Sequence, residues 1–96
     1  MEVQYHPAAR AELRRATRRY ERERSGLGLA FLAAVREAEA VLTSHPELGM
    51  PLGGANRRHL IRRFPYGLIY RYERERIYIL AVAHWRRDAD YWADRE

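Results

Sequence analysis

The residues best suited to chemistry are gathered where one apolar run ends. Residues 77–84 (IYILAVAH) lead directly into Trp85, Arg86, Arg87 and Asp88. A histidine titrating near neutrality can act as a general base. Guanidinium groups placed beside it can stabilise the charge of an anionic phosphorane. His84, Arg86 and Arg87 thus supply part of what is needed to cleave a phosphodiester through its 2′-hydroxyl. Arg62, Arg63 and Arg71, on neighbouring predicted strands, are further cations within reach. The plainer alternative is a strand-end histidine bonded to the backbone, with Arg86 and Arg87 paired to Asp88, Asp90 or Asp94.

Other candidates carry less. His6, His45 and His59 stand in different elements without ligand-like spacing, and a metal site needs three or four convergent donors, so no metal is expected. His6 falls at a helix cap position and His59 reads as a solvated strand residue. The glycines at 49, 53 and 54 precede no helix and no lysine, so they lack the mechanics of a phosphate loop. Tyr66, Tyr70 and Tyr72 share a strand face with Leu68; such a row packs against a core or stacks on bases. Arg14, Arg18 and Arg22 recur every four residues, a like-charge stripe that an acidic partner would relieve. Tyr91 and Trp92 are large aromatics in a polar tail, which either folds back on the sheet or anchors a partner.

Elements that would hold these residues follow from periodicity. Residues 2–6 form a short strand closed by Pro7, which suits the first turn of a helix. Ala9, Leu13, Ala16 and Tyr20 make a narrow apolar stripe that predicts a helix from 7 to about 24. Ser25-Gly26 breaks it, with Ser25 able to cap a second helix. Leu27, Phe31, Ala34, Val35, Ala38, Val41 and Leu42 extend that helix to Ser44, and the short connection makes the two an antiparallel hairpin. Residues 45–56 are a glycine- and proline-rich loop. Strands are predicted over 57–63, 66–72 and 77–84, with Pro65 at or beside a turn and 73–76 as a polar turn. The last strand is apolar on both faces and belongs in the middle of the sheet. The tail after Trp85 has room for one helical turn. The expected fold is α+β, in the order β-α-α-β-β-β: a helical hairpin on a small, mostly antiparallel, four-stranded sheet.

Composition sets the limits. Ninety-six residues, 47% hydrophobic and 32% charged, suit one globular domain. No run of 18 apolar residues is present, so no membrane span is expected, and the amino terminus lacks the pattern of a secretory signal. The absence of cysteine excludes disulfides and thiolate metal sites and is compatible with a cytoplasmic protein. The net charge is +5, and all eighteen cations are arginine. Planar guanidinium groups suit phosphate or carboxylate forks, so the expected partner is nucleic acid or an acidic protein segment.

The stretch RRFPYGLIYRYERERIYILAVAHWRRDADYW (62–92) resembles the carboxyl half of ParE-type toxins of the RelE/ParE superfamily, known also as plasmid stabilisation proteins. There a basic strand, an FPY-like turn, a YR strand and an apolar strand ending in H-x-R-R-D follow one another. YHPAARAEL (5–13), Tyr20, GLGLAFLAAV and HPELGMPLGG (45–54) also follow the family's layout. Two activities are implied by this resemblance. RelE-like members are ribosome-dependent mRNA endoribonucleases; ParE-like members poison DNA gyrase and are not nucleases. Where RelE-type enzymes place a phosphate-stabilising arginine in mid-strand, this chain has Gly67. Their second arginine falls near Trp85 or Arg86, and their carboxyl-terminal tyrosine matches Tyr91. The resemblance therefore favours a ParE-like toxin held by a cognate antitoxin, without cofactor. In such proteins the carboxyl end, here Tyr91 and Trp92, is implicated in toxicity. A nuclease using His84, Arg86, Arg87 and Tyr91, and a member that only binds its antitoxin, are the alternatives.

Overall fold

The computed structural model describes residues 1–96. Their order is β1 (Glu2–Tyr5), α1 (Pro7–Glu23), α2 (Leu27–Ser44), β2 (Met50–Pro51), β3 (Asn56–Leu60), β4 (Tyr66–Glu73) and β5 (Arg76–His84). The expected α+β arrangement is present, with one correction: the sheet has five strands rather than four. Met50 and Pro51 pair antiparallel with Arg58 and Arg57. A two-residue strand inside a glycine- and proline-rich loop shows no alternation, so periodicity passes over it. The sheet order is β1-β5-β4-β3-β2, with β1 parallel to β5 and the other pairs antiparallel.

Helix α1 starts as its sequence dictates. Pro7 takes the first helical position, and the His6 Nδ1 accepts the Ala8 N–H at 3.0 Å, a side-chain cap for an otherwise orphaned donor. Ala9, Leu13, Ala16 and Tyr20 are all buried. The cap of α2 differs from expectation. Gly26, at φ +90°, is the N-cap, and Ser25 makes no cap bond. Glu21 of α1 reaches across instead, and its carboxylate accepts from the Gly26 and Gly28 amides. A cap supplied from five and seven residues upstream depends on the hairpin having closed. Phe31, Val35, Ala38 and Leu42 turn inward from α2, as their spacing predicts.

The hairpin covers one face of the sheet. Tyr20, Phe31, Phe64 and Tyr66 form an aromatic cluster of tilted and edge-to-face pairs, with centroids 5.0–6.2 Å apart. Tyr66, Leu68 and Tyr70 pack into this core; Tyr72 lies beyond it and is exposed. The Tyr70 hydroxyl donates to the Pro46 carbonyl and accepts the Gly49 N–H, tying the long loop to mid-sheet. Strand β3 ends at Leu60, earlier than predicted. Residues 61–65 form a turn in which Ile61 and Phe64 are buried, Arg62 and Arg63 are exposed, and Arg63 has φ +77°.

One irregularity decides what β5 presents to the helices. Ile69 pairs with Ala81 and Tyr70 with Ile79, so Leu80 is an extra residue, a β-bulge. Before it, Ile77 and Ile79 face the helices; after it, Val82 does. Leu80 and Ala81 join Ile69 and Trp92 in a second cluster on the opposite face. Without the bulge, strict alternation would turn His84 away from α1.

Candidate functional site

A groove of about 730 Å³ runs between the polar flank of α1 and the end of β5. Its floor is Ala16, Tyr66 and Val82; its walls are Arg15, Arg18, Arg19 and Arg22 from α1, and His84, Arg86 and Arg87 from the other side. Two bonds shape that far wall. His84 Nδ1 accepts the Arg86 N–H, and the His84 carbonyl accepts the Arg87 N–H, both at 3.0 Å. The chain thereby turns back and brings two guanidinium groups toward the helix.

The floor is held by aromatic and cationic contacts. Arg19 Nη2 donates to the Tyr66 hydroxyl at 2.9 Å, with its guanidinium over the rings of Tyr20 and Tyr66. Tyr66 meets the His84 ring edge-on at 5.1 Å. Burial raises the Tyr66 phenol's pKa above its usual value, although the Arg19 charge works in the other direction. The His84 pKa is held below the ordinary histidine value, first by desolvation and then by Arg19 and Arg86. The neutral form of His84 therefore predominates at pH 7. Because its Nδ1 is an acceptor, the neutral ring carries its proton on Nε2.

Glu12 is the groove's only carboxylate, and it is already engaged. It is buried; its Oε1 accepts the Val82 N–H at 2.9 Å, and both its oxygens take the fork of Arg95, at 3.0 and 2.8 Å. Arg95 Nη1 also donates to the Leu80 carbonyl. Strand β1 pairs with β5 only as far as Ile79. The Glu12–Arg95 pair thus satisfies the bare edge of β5 beyond that point, where a further strand would otherwise add. Tyr91 lies beneath Arg87 and Arg95, with Arg87 only 3.8 Å from its ring centre. Burial, together with the Glu12 charge, pushes the Tyr91 phenol up to about 12.

Of the residues singled out in the sequence, Arg18, Arg22, Tyr66, His84, Arg86 and Arg87 converge on this groove. Tyr91 abuts it through Arg87. Arg14 does not line it: steps of four overshoot the 3.6-residue turn, so the Arg14–Arg18–Arg22 stripe drifts around the helix. Arg62 and Arg63 stand in the exposed turn, Arg63 against Phe64. Arg71 sits at the other end of β4, paired with Glu73 and stacked on Tyr78. Trp92 is only 7% exposed, so the tail folds back on the sheet in a series of turns. The alternative pairing of Arg86 and Arg87 with Asp88, Asp90 or Asp94 is not formed, because the ion pairs involve Arg36, Arg71, Arg76 and Arg95 alone. His59 is half-buried rather than solvated, and its burial lowers its pKa. No three His, Asp or Glu side chains converge as a metal site would require. Arg15, Arg19 and Glu12 escaped the sequence reading. Their signal was there: 12, 15, 19 and 22 follow the helical template along the edge of the apolar stripe.

The chain matches the family described as ParE toxin of type II toxin-antitoxin system, parDE, over residues 3–89. It belongs to that family. Among solved structures it is similar to a chain of the "Chromosomal ParDE TA system from P. aeruginosa", with TM-score 0.75 and 19% identity. The likeness covers 88% of this chain and 95% of that one and shows a shared fold. No curated protein matches the chain. No helix is long and apolar enough to cross a membrane.

Proposed function

We propose that this ParE-family toxin arrests growth in the cytoplasm by binding and poisoning DNA gyrase, and that a cognate antitoxin neutralises it. The observation that favours binding over catalysis is the make-up of the groove. Six arginines surround one neutral histidine, and the only carboxylate is locked by Arg95 and the Val82 amide. A nuclease of this kind needs a base with a free lone pair aimed at the 2′-hydroxyl. Here the lone pair of His84 Nδ1 is taken by the Arg86 N–H, and the Glu12 carboxylate is held by Arg95 and the Val82 N–H. A surface of unpaired guanidinium groups is instead suited to contact with an anionic macromolecule. The antitoxin then covers this surface and adjoining apolar residues with an extended or helical segment.

The test is a supercoiling assay with purified gyrase and the toxin freed of antitoxin. Loss of supercoiling with accumulation of linear plasmid is the expected result. Undisturbed gyrase, from folded protein that is toxic in cells, overturns the proposal and makes ribosome-dependent mRNA cleavage the leading reading.

A further inference from the structure

The groove also has the make-up of a strand-binding site. We infer that it binds the phosphodiester backbone of single-stranded nucleic acid directly, without gyrase. Six guanidinium groups line it, and none forms an ion pair. Arg15 and Arg22 lie seven residues apart on α1, so the row spans about 10 Å at 1.5 Å per residue. Arg86 and Arg87 face that row from the opposite wall, leaving a cleft with cations on both sides. The floor offers only Ala16, Tyr66 and Val82 as apolar contacts, and Tyr66 is buried. An acidic peptide would find little here to anchor apolar side chains. A phosphate backbone needs none.

A second feature points the same way. The turn that carries Arg86 and Arg87 also carries Trp85, which is 62% exposed. Trp85 does not line the groove but stands between His84 and Arg86 in the chain, and an open indole beside a cationic groove is a platform for an unpaired base; stacking of that kind tolerates any base. Neutral His84 keeps an Nε2–H that can donate to a phosphate oxygen without adding charge. Backbone cations joined to an exposed aromatic are the combination that single-strand binders use.

The inference stands apart from the gyrase reading, and its test uses the purified toxin alone. Fluorescein-labelled dT12 is titrated with the protein and anisotropy recorded at several salt concentrations. Binding should weaken steeply with salt, with a log–log slope near −2 if about three phosphates are engaged. Arg18→Ala/Arg22→Ala should weaken binding roughly tenfold or more. Trp85→Ala should cost about tenfold through lost stacking. Intrinsic fluorescence gives a separate readout, since Trp85 is open and Trp92 is buried, so dT12 should quench Trp85. Circular dichroism and thermal melting establish that the variants are folded. Binding that is unchanged in the arginine variants overturns the inference. So does inorganic polyphosphate that competes as well as dT12 at equal charge, which assigns the groove to anionic charge alone rather than to a nucleic-acid strand. Preferential binding of duplex over dT12, insensitive to Trp85→Ala, also overturns it.

Discussion

The β4–β5 ribbon has arginines at both ends, and they meet opposite fates. At the far end, Glu73 sits between Arg71 and Arg76, with N–O distances of 3.2 and 3.3 Å, and both guanidinium groups lie over the Tyr78 ring. At the groove end, Arg86 and Arg87 face Arg15, Arg18, Arg19 and Arg22, and no free carboxylate lines the groove. Paired arginines of the first kind contribute modestly to the fold. Clustered arginines of the second kind oppose folding through mutual repulsion, which an anionic partner would relieve. Composition alone makes the two groups indistinguishable. What separates them is whether the fold brings an acid alongside.

Breaking what supports each end should give the largest effects. Tyr70 is fully buried and ties Pro46 and Gly49 to the sheet. Tyr70→Ala should cost about 4 kcal/mol in urea unfolding, through a cavity and two lost hydrogen bonds. Glu12→Ala at the groove end leaves Arg95 unpaired and the Val82 amide unsatisfied. It should cost about 3 kcal/mol, and amide exchange should accelerate at Leu80–Val82 rather than along the β3–β4 ladder.

Smaller effects sharpen the contrast between the two arginine groups. Arg71→Ala/Arg76→Ala should destabilise by about 1 kcal/mol, because ion pairs that remain partly solvated are weak. Arg18→Ala/Arg22→Ala should do the reverse, raising stability by a few tenths of a kcal/mol in low salt. That gain should shrink as added salt screens the repulsion. If both pairs of substitutions changed stability in the same direction, the two arginine groups would not differ in their effect on the fold.

The smallest effect concerns pH. The folded-state pKa of His84 is lowered, so the unfolded chain binds its proton first as pH falls. The His84 contribution to stability is complete above the unfolded value near 6.5 and declines as pH drops below it. His59 shifts in the same direction and adds to the trend. A carbon–proton NMR titration should place the His84 midpoint below 6.5, and removing the Arg19 charge with Arg19→Gln should move it upward.

Much of this molecule was determined locally. The stripe from Ala9 to Tyr20, the run from Phe31 to Leu42 and the breaks at Pro7, Gly26 and Pro46 define the hairpin, because helical period and capping chemistry act over a few residues. The apolar strand over 77–84 likewise announced a central position, and β5 does lie between β1 and β4. The order of segments from Tyr5 to Trp92 resembles that of ParE-type toxins and by itself implies their fold.

The site was decided by contacts between residues distant in the chain. Glu12 meets Arg95 across 83 positions, and Arg19 meets Tyr66 across 47. The bulge at Leu80 shifts the alternation of β5 by one residue and turns Val82 toward the helices, yet no residue type marks it. A helical repeat of four drifts off its face, so Arg14 falls away from the groove while Arg15 and Arg19, on the row 12, 15, 19 and 22, line it. Periodicity records which face of an element is apolar. Which polar side chains meet across the gap between elements depends on register, packing and the absence of an acid, and these exist only once the chain has closed.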